Sequence, residues 1–262
     1  MGRSLVDRGK VRAAVGVLAV AVALGAWEVA GRTGAVQFLV PFSAAVRDAW
    51  SLLTGPALLA DIFPSALRAL LGFLLGATVG IVVGVPLGYV RGLDPWFRPT
   101  LEFLRAVPLP AVLPVAFVAF GPTDATRIGL IALGAVWPVL LNSTDGARAV
   151  DRTLIDAAKA VRLGGLRLLT TVVLRASLPQ VFAGLRIALG LSLVMMVVSE
   201  MVSSSDGLGF LVLQSQRTYA LTQMYAGVLL LGALGGLFTI VFTIGERRLL
   251  RWYAGQKGFQ DA

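Results

Sequence analysis

Six long apolar stretches, separated by short charged or Pro- and Gly-containing segments, restrict most strongly what this chain can fold into. A helix needs about 20 mostly apolar residues to cross the hydrocarbon core of a bilayer. Of the 262 residues, 57% are hydrophobic and only 14% are charged, whereas about a quarter are charged in a soluble domain. The sequence therefore predicts an all-α, polytopic membrane protein with about six transmembrane helices in a single domain, residues 1–262.

The predicted spans follow the apolar runs in order. They are Val11–Ala30, Leu67–Val90, Leu101–Phe120, Ile128–Leu141 with a continuation to Ala149 left open, Val181–Met201 and Tyr225–Gly245. The basic N-terminus could start a cleaved signal peptide, but the first run is long and reaches Trp27 and Glu28 rather than a pair of small residues, which favours a retained helix. Between the first two spans, Pro41–Thr54 has an amphipathic pattern that predicts a helix lying at the outer interface.

Lys and Arg residues are distributed unevenly between the two sides that these spans define. One side holds only five of the 23: Arg32, Arg47, Arg68, Arg127 and Arg217. The positive-inside rule then predicts a bacterial cell (inner) membrane protein with both termini cytoplasmic, as an even number of spans requires. The same rule explains the formal net charge of +9 without a nucleic-acid partner.

Two predicted spans carry packing signals. The second span has a glycine at every fourth position: Gly72, Gly76, Gly80, Gly84 and Gly88. Small residues on one face let membrane helices approach closely, so this stripe predicts a helix–helix packing face rather than a translocation role. The third span contains Pro108, Pro110 and Pro114, and both a helix beside a pathway and a kinked packing helix remain open.

Polar and ionisable residues at membrane depth are functional candidates. Glu200 and Ser199 near the end of the fifth span, and Asn142 at the end of the fourth, are therefore candidate substrate-pathway residues. The alternative for Glu200 is a structural ion pair at the outer interface with Arg217 or another basic group. Three other ionisable residues near span ends receive the same two interpretations: Glu102, Arg105 and Arg186.

The composition argues against an enzyme. The chain has no Cys and no His, so disulfides, the commonest metal ligand and the commonest acid–base catalyst are all missing. It also has no G-x-x-x-x-G-K-[ST] sequence and so no P-loop for ATP. The sequence predicts no catalytic residue, no metal site and no cofactor.

The segment from Asp151 to Pro179, between the fourth and fifth spans, is too polar to cross a membrane and too regular for a plain loop. Asp151 is placed to cap a first helix, which Gly164 and Gly165 are expected to end. A second helix is predicted over Leu166–Ser177. The first helix has an apolar face made of Leu154, Ala157, Ala158 and Val161. Its small residues would let a partner protein sit close, although a surface connector without a partner fits equally well.

The same segment carries a resemblance to a known family. DAAKAVRLGG…VVLRASLPQVFAGLRIALG resembles the EAA loop of ABC importer permeases, with Asp156, Ala157 and Ala158 at the Glu-Ala-Ala positions and Leu178–Pro179 at the second leucine–proline. LEFLRAVPLPAVLPVAFVAFG, VSEMVSSSDGLGFLV and ERRLLRW look like the permeases of nitrate, sulfonate, taurine and bicarbonate uptake. The resemblance covers nearly the whole chain.

The chain departs from the family pattern at three positions of this loop. Asp156 replaces the usual Glu, Arg162 replaces a glycine, and Arg175 replaces a proline. Gly164 and Gly165 are then expected to supply the turn. The two arginines add positive charge to the loop, which would suit an acidic partner surface.

The resemblance implies a type I ABC importer permease fold and a non-enzymatic transport subunit. It implies a second permease copy, an extracytoplasmic substrate-binding protein and separate ABC ATPase subunits. The expected ATPase contact within the coupling loop 151–179 is Asp156, Ala157, Ala158, Lys159, Arg162 and Gly164. The implied substrate is a small sulfonate- or nitrate-like anion or a vitamin precursor, and a homodimer is favoured over a heterodimer. The alternative is a secondary transporter or channel working without an ATPase, which would predict midplane charges and internal repeats; the sequence has neither.

Overall fold

The computed structural model describes residues 3–90 and 107–251 together with Gly92, Pro99 and Phe103, and side chains from Ala14 onward. Within these residues the regular structure is helical. The helices are α1 (Arg3–Thr33), α2 (Phe42–Thr54), α3 (Phe63–Tyr89), α4 (Leu109–Phe120), α5 (Asp124–Arg148), α6 (Arg152–Ala160), α7 (Gly165–Leu168), α8 (Leu174–Ser203), α9 (Leu208–Arg217) and α10 (Leu221–Leu249). Two π-helical turns, Leu58–Ile62 and Leu169–Val173, precede α3 and α8.

Five helical stretches of the described chain are long and apolar enough to cross a membrane. They are Ala14–Thr33, Leu58–Tyr89, Asp124–Arg148, Gly165–Ser203 and Leu221–Leu249. The third predicted span corresponds to α4, an apolar helix of 12 residues, while most of its predicted first part, including Glu102 and Arg105, lies outside the described residues. The predicted all-α fold with about six membrane helices is thus confirmed, with five full-length spans and one short apolar helix.

One compact unit contains the residues up to Leu58 and Leu211–Leu231. In it, the end of α1 holds the start of α2: Trp27 Nε1 donates a hydrogen bond to the Val40 carbonyl at 3.0 Å. The Glu28 carboxylate accepts from the backbone N–H of Ser43 at 2.9 Å and from its hydroxyl at 2.8 Å. The predicted helix over Pro41–Thr54 is therefore present as α2, and Glu28 satisfies an N–H group in its first turn.

The second unit contains Leu59–Phe210 and the residues from Gly232. Its main contact is between α3 and α5, along the glycine stripe. A Cβ added at Gly76 would lie 2.5 Å from the Ala132 carbonyl oxygen, and one added at Gly80 would lie 2.7 Å from the Val139 Cβ. The other three stripe glycines meet α5 equally closely. The predicted packing face is confirmed, because only a residue without a side chain fits at these positions.

The helix predicted over Leu166–Ser177 is present but continues without a break into the fifth span. Sequence patterns suggested a separate cytoplasmic helix over Leu166–Ser177 and a span from Val181. The structure instead has a continuous helical path from Gly165 to Ser203, 39 residues, with Pro179 inside it. At 1.5 Å per residue this path is about 58 Å long. Membrane helices tolerate an internal proline where neighbouring groups satisfy the freed backbone.

Candidate functional site

The coupling loop predicted over residues 151–179 begins with helix α6, and both ends of this helix are capped. The Asp151 carboxylate accepts a hydrogen bond from the Thr153 N–H at 2.8 Å, which lowers the pKa of Asp151 below its ordinary value. At the other end, the Arg162 N–H donates to the Lys159 carbonyl at 2.9 Å and the Leu163 N–H to the Ala158 carbonyl at 3.0 Å. This pair of bonds is the Schellman arrangement that closes many helices.

The residue that makes this turn is Arg162, with φ of +61°. Such a left-handed backbone favours glycine, and a glycine is what the resembled family has at this position. The expectation that Gly164 and Gly165 supply the turn was wrong, because they lie after it and lead into α7.

Arg162→Gly is therefore expected to stabilise the end of α6 by about 1 kcal/mol, since a non-glycine residue in this region costs roughly that much. Hydrogen exchange of the Arg162 and Leu163 amides should slow about fivefold. Arg167→Gly, in the short helix that follows, is the control and should not slow exchange at these amides. Faster exchange in Arg162→Gly would contradict the assignment.

Helix α6 presents three different faces. Ile155 and Ala158 pack against this chain's own bundle, where Ile155 contacts the buried cluster around Val150 and Val173 and Ala158 is 8% exposed. A second face is apolar but exposed and is made of Leu154, Ala157 and Val161. We call it the apolar face of α6.

The third face of α6 is charged. Arg152, Asp156 and Lys159 line a cleft of about 410 Å³ against the ends of α3 and α5. In the described part of the chain, Asp156 makes no ion pair with Arg152 or Lys159, although the sequence spacing allows both pairings.

The six residues expected at an ATPase contact thus occupy different surroundings. Ala157, Arg162 and Gly164 are exposed, on or next to the apolar face of α6. Asp156 and Lys159 are exposed but line the charged cleft. Ala158 is buried within this chain.

A buried ionic cluster lies at the opposite end of the bundle. Glu200 near the end of α8 has no exposed surface, and Arg68 near the start of α3 is 3% exposed. Arg68 Nη1 donates to the Glu200 carboxylate at 2.9 Å. The Ser65 hydroxyl lies 2.8 Å from the same carboxylate, which also accepts from the Gly209 N–H at 2.9 Å. Glu200 is therefore fully hydrogen-bonded.

The remaining members of the cluster join α5 and the loop after α8 to Arg68. Arg68 also donates to Asp124 at 2.9 Å and to Asp206 at 2.8 Å, and Arg127 pairs with Asp124 at 2.8 Å and donates to the Ser203 carbonyl. Burial acts to raise the pKa of Asp206, but the hydrogen bonds from Arg68 and Ser204 outweigh it and hold that pKa below its ordinary value.

This arrangement favours a structural ion pair over a substrate-pathway role for Glu200. Each carboxylate oxygen of Glu200 already has partners, and a buried ion pair is costly to break once formed. Among the described residues the basic partner of Glu200 is Arg68, which sequence reasoning missed. The sequence does contain a signal for this pair. Arg68 is a charged residue in an apolar span, and the predicted topology places it on the same side of the membrane as the end of the fifth span.

The other two pathway candidates do not join this cluster. Ser199 is buried and its hydroxyl donates to the Met196 carbonyl at 2.9 Å. Asn142 is half-buried and accepts from the Gln180 amide at 3.0 Å. Gln180 precedes Glu200 by twenty residues of continuous helix, which is about 30 Å, so Asn142 and Glu200 cannot line the same subsite.

Among the described residues, no group of three or more Asp, Glu, Cys or His side chains is placed to hold a metal ion. Three of the described carboxylates, Asp124, Glu200 and Asp206, are instead paired with Arg68.

A polytopic helical bundle with an amphipathic helix between its fourth and fifth spans is the architecture of an importer permease. Residues 56–254 match the family described as the binding-protein-dependent transport system inner membrane component, and the chain belongs to that family. It is therefore a multi-pass inner-membrane transport subunit of an ABC importer, a class that works with ATPase subunits.

Named relatives agree with this family. The aliphatic sulfonates transport permease protein SsuC of Bacillus subtilis (strain 168) is 32% identical over 246 residues, 93% of this chain and 89% of that protein. Its namesake in Escherichia coli (strain K12) is 33% identical over 240 residues, 91% of this chain and 89% of that protein. The bicarbonate transport system permease protein CmpB of Synechococcus elongatus is 33% identical over 162 residues, 62% of this chain and 58% of that protein.

A solved structure shares the fold. An inward-facing form of the MetNI methionine ABC transporter contains a chain that superposes with a TM-score of 0.61 at 21% identity, over 76% of this chain and 96% of that one. The type I importer permease fold expected from the sequence is thereby confirmed.

Proposed function

We propose that this permease moves a small organic or inorganic anion, with aliphatic sulfonates first and bicarbonate- or nitrate-like anions next. The support is that relatives spanning about nine-tenths of the chain are named for aliphatic sulfonates and a shorter match is named for bicarbonate. Two copies of the chain would form the pathway, and an extracytoplasmic binding protein would deliver the anion. The chain itself would hydrolyse nothing, since ATP hydrolysis belongs to the partner.

The apolar face of α6 is the proposed ATPase contact. The observation that carries this assignment is exposure: Leu154 is 48% exposed and Val161 is 70% exposed, and Ala157 between them is exposed as well. An apolar stripe left open on a helix that already packs its other side against the bundle fits a partner protein. Arg162, at the end of the stripe, would meet an acidic group of the partner.

Movement of the ATPase partner would be transmitted to the membrane spans along the chain itself. Helix α6 is held to the bundle by Ile155 and Ala158, and the short connector after Arg162 leads directly into the helical path that begins at Gly165. A shift of α6 caused by ATP-driven closure of the ATPases would therefore be passed to the fifth span. This scheme requires the loop and both termini to be cytoplasmic, as the positive-inside rule predicts.

Cysteine crosslinking in the assembled transporter tests the contact. Ala157→Cys is expected to crosslink to the ATPase subunit, whereas Ala158→Cys, one residue away but buried in this chain, should not. Ala157→Glu should lower ATP-driven uptake about tenfold or more, because the new carboxylate would lose its water in an apolar contact. Thiol labelling of the Ala157→Cys variant from the outside of intact cells, or full uptake by Ala157→Glu, would contradict the proposal.

A further inference from the structure

We propose that α2 is an interfacial anchor, with one side of the helix inserted among the lipids of the outer leaflet. The inserted side is made of Val46, Trp50 and Leu53, and we call it the lipid face of α2. The proposed function uses none of these residues. The amphipathic pattern of the sequence predicts a helix at the interface, but it does not tell which of its apolar residues would meet lipid.

The structure divides the apolar residues of α2 between two sides. Ala45 and Ala49 are buried within the chain, whereas Trp50 is 68% exposed, Val46 43% and Leu53 37%. At 100° per residue, the three exposed side chains span only about 60° of the helix circumference. The buried side accounts for the contact of α2 with its own chain, so the lipid face is a second and separate apolar surface.

A polar side borders the lipid face. Arg47, Ser51 and Thr54 are exposed, and they lie about 40–100° beyond Trp50 around the helix. Trp50 is therefore at the boundary between the apolar and the polar side, where a ring with an apolar body and one N–H group suits the headgroup level of a membrane. A helix whose exposed apolar and polar residues occupy separate sides is typical of one that lies in the interface.

The attachment of α2 to α1 places the start of α2 at the level of the membrane surface. Glu28 of α1 accepts a hydrogen bond from the Ser43 N–H at 2.9 Å, and the rings of Trp27 and Phe42 lie 5.3 Å apart. Glu28 precedes Thr33, the last residue of α1, by about 7.5 Å along the helix. The start of α2 therefore lies beside the last turns of the first span and not beyond them.

The exposure of α1 favours lipid over a partner protein as the occupant of the lipid face. No residue of the span Ala14–Thr33 is buried within the described chain, and Val29, near its end, is 61% exposed. An exposed apolar span is surrounded by lipid, and the same lipid reaches the adjoining start of α2. The choice of the outer leaflet rests on the predicted topology, whereas insertion itself does not depend on it.

Spin labelling of the full-length chain in vesicles of phosphatidylcholine and phosphatidylglycerol tests this proposal. Because the chain has no Cys, each of the single variants Val46→Cys, Leu53→Cys, Arg47→Cys and Ser51→Cys carries one nitroxide. Collision rates are measured with oxygen, which is apolar and concentrates in hydrocarbon, and with a polar nickel chelate, which stays in water. The ratio of oxygen to nickel collisions is expected to be several-fold higher at Val46 and Leu53 than at Arg47 and Ser51, the matched controls on the polar side of the same helix.

A high ratio at the two positions of the lipid face, with a low ratio at the two controls, would support the anchor. Equal ratios at all four positions would mean that α2 has no inserted side. Few collisions with either reagent at Val46 and Leu53 would show that protein, such as a second copy of the chain, covers them. Either of these two results would overturn the proposal. Because the vesicles contain no ATPase and no transported anion, the outcome is independent of the proposed function.

Discussion

Replacing Arg68 by methionine is expected to lower the free energy of unfolding by about 3–5 kcal/mol, because it leaves the Glu200 carboxylate buried without a counter-charge. Glu200 has no exposed surface and could not reach water without moving the end of α8. Thermal unfolding in detergent, followed by loss of helical circular dichroism, measures the change. A change of this size exceeds what most single substitutions produce.

Two further variants separate the ion pair from general damage. Arg217→Met removes the residue that sequence reasoning named as a partner of Glu200, and it should change stability little. Arg68→Met/Glu200→Leu removes both charges, and it should recover much of the loss, since paired charges replaced by apolar groups are often tolerated. If Arg217→Met proved as harmful as Arg68→Met, or the double variant were worse than the single one, the buried pair would not be the cause.

A methyl group added at a glycine of the stripe is expected to lower the free energy of unfolding. The same methyl group added at a glycine with open space around it is expected to raise it. In Gly76→Ala, the new Cβ would lie 2.5 Å from the Ala132 carbonyl oxygen and 2.6 Å from the Ala135 Cβ, so α3 and α5 must separate. Overpacking of this kind costs about 1–3 kcal/mol. Unfolding of the purified protein, compared with wild type, gives the loss directly.

Gly190→Ala is the matched control for Gly76→Ala. Gly190 lies within α8, and a Cβ built there has nothing within 4 Å. Because alanine is the better helix former, this variant should gain about 0.5–1 kcal/mol. Both variants shifting stability in the same direction would show that helix propensity, and not the contact between α3 and α5, determines the result.

The features that sequence predicts well here depend on local chemistry. The glycine stripe could be interpreted from its four-residue spacing alone, because membrane helices pack through small residues. Asp151 could be assigned as a cap because a short acidic side chain before an amphipathic helix satisfies a free N–H. The membrane spans followed from length and hydropathy, although the patterns missed that the helix after Gly165 continues into the fifth span.

The features that sequence missed depend on which distant groups meet. Arg68 and Glu200 are 132 residues apart, and no local pattern pairs them. Ala158 is buried and Ala157 is exposed, although the two are separated by only one helical step of 100°. The apolar pattern of so short a helix does not tell the two positions apart. Arg162 was recognised as a departure from the family, but its left-handed backbone at the end of α6 became evident only from the φ angle.

The continuous helical path from Gly165 to Ser203 connects the two functional regions of this subunit. Its Gly165 end follows the proposed ATPase contact on α6, and its other end carries Glu200 in the ionic cluster. Because the ionic cluster holds the Glu200 end of this path of about 58 Å, a displacement of Gly165 would tilt the helix, with the largest movement at Gly165 and the smallest at Glu200. The pivot of the proposed movement would then be the Arg68–Glu200 salt bridge, at the end of the bundle opposite α6.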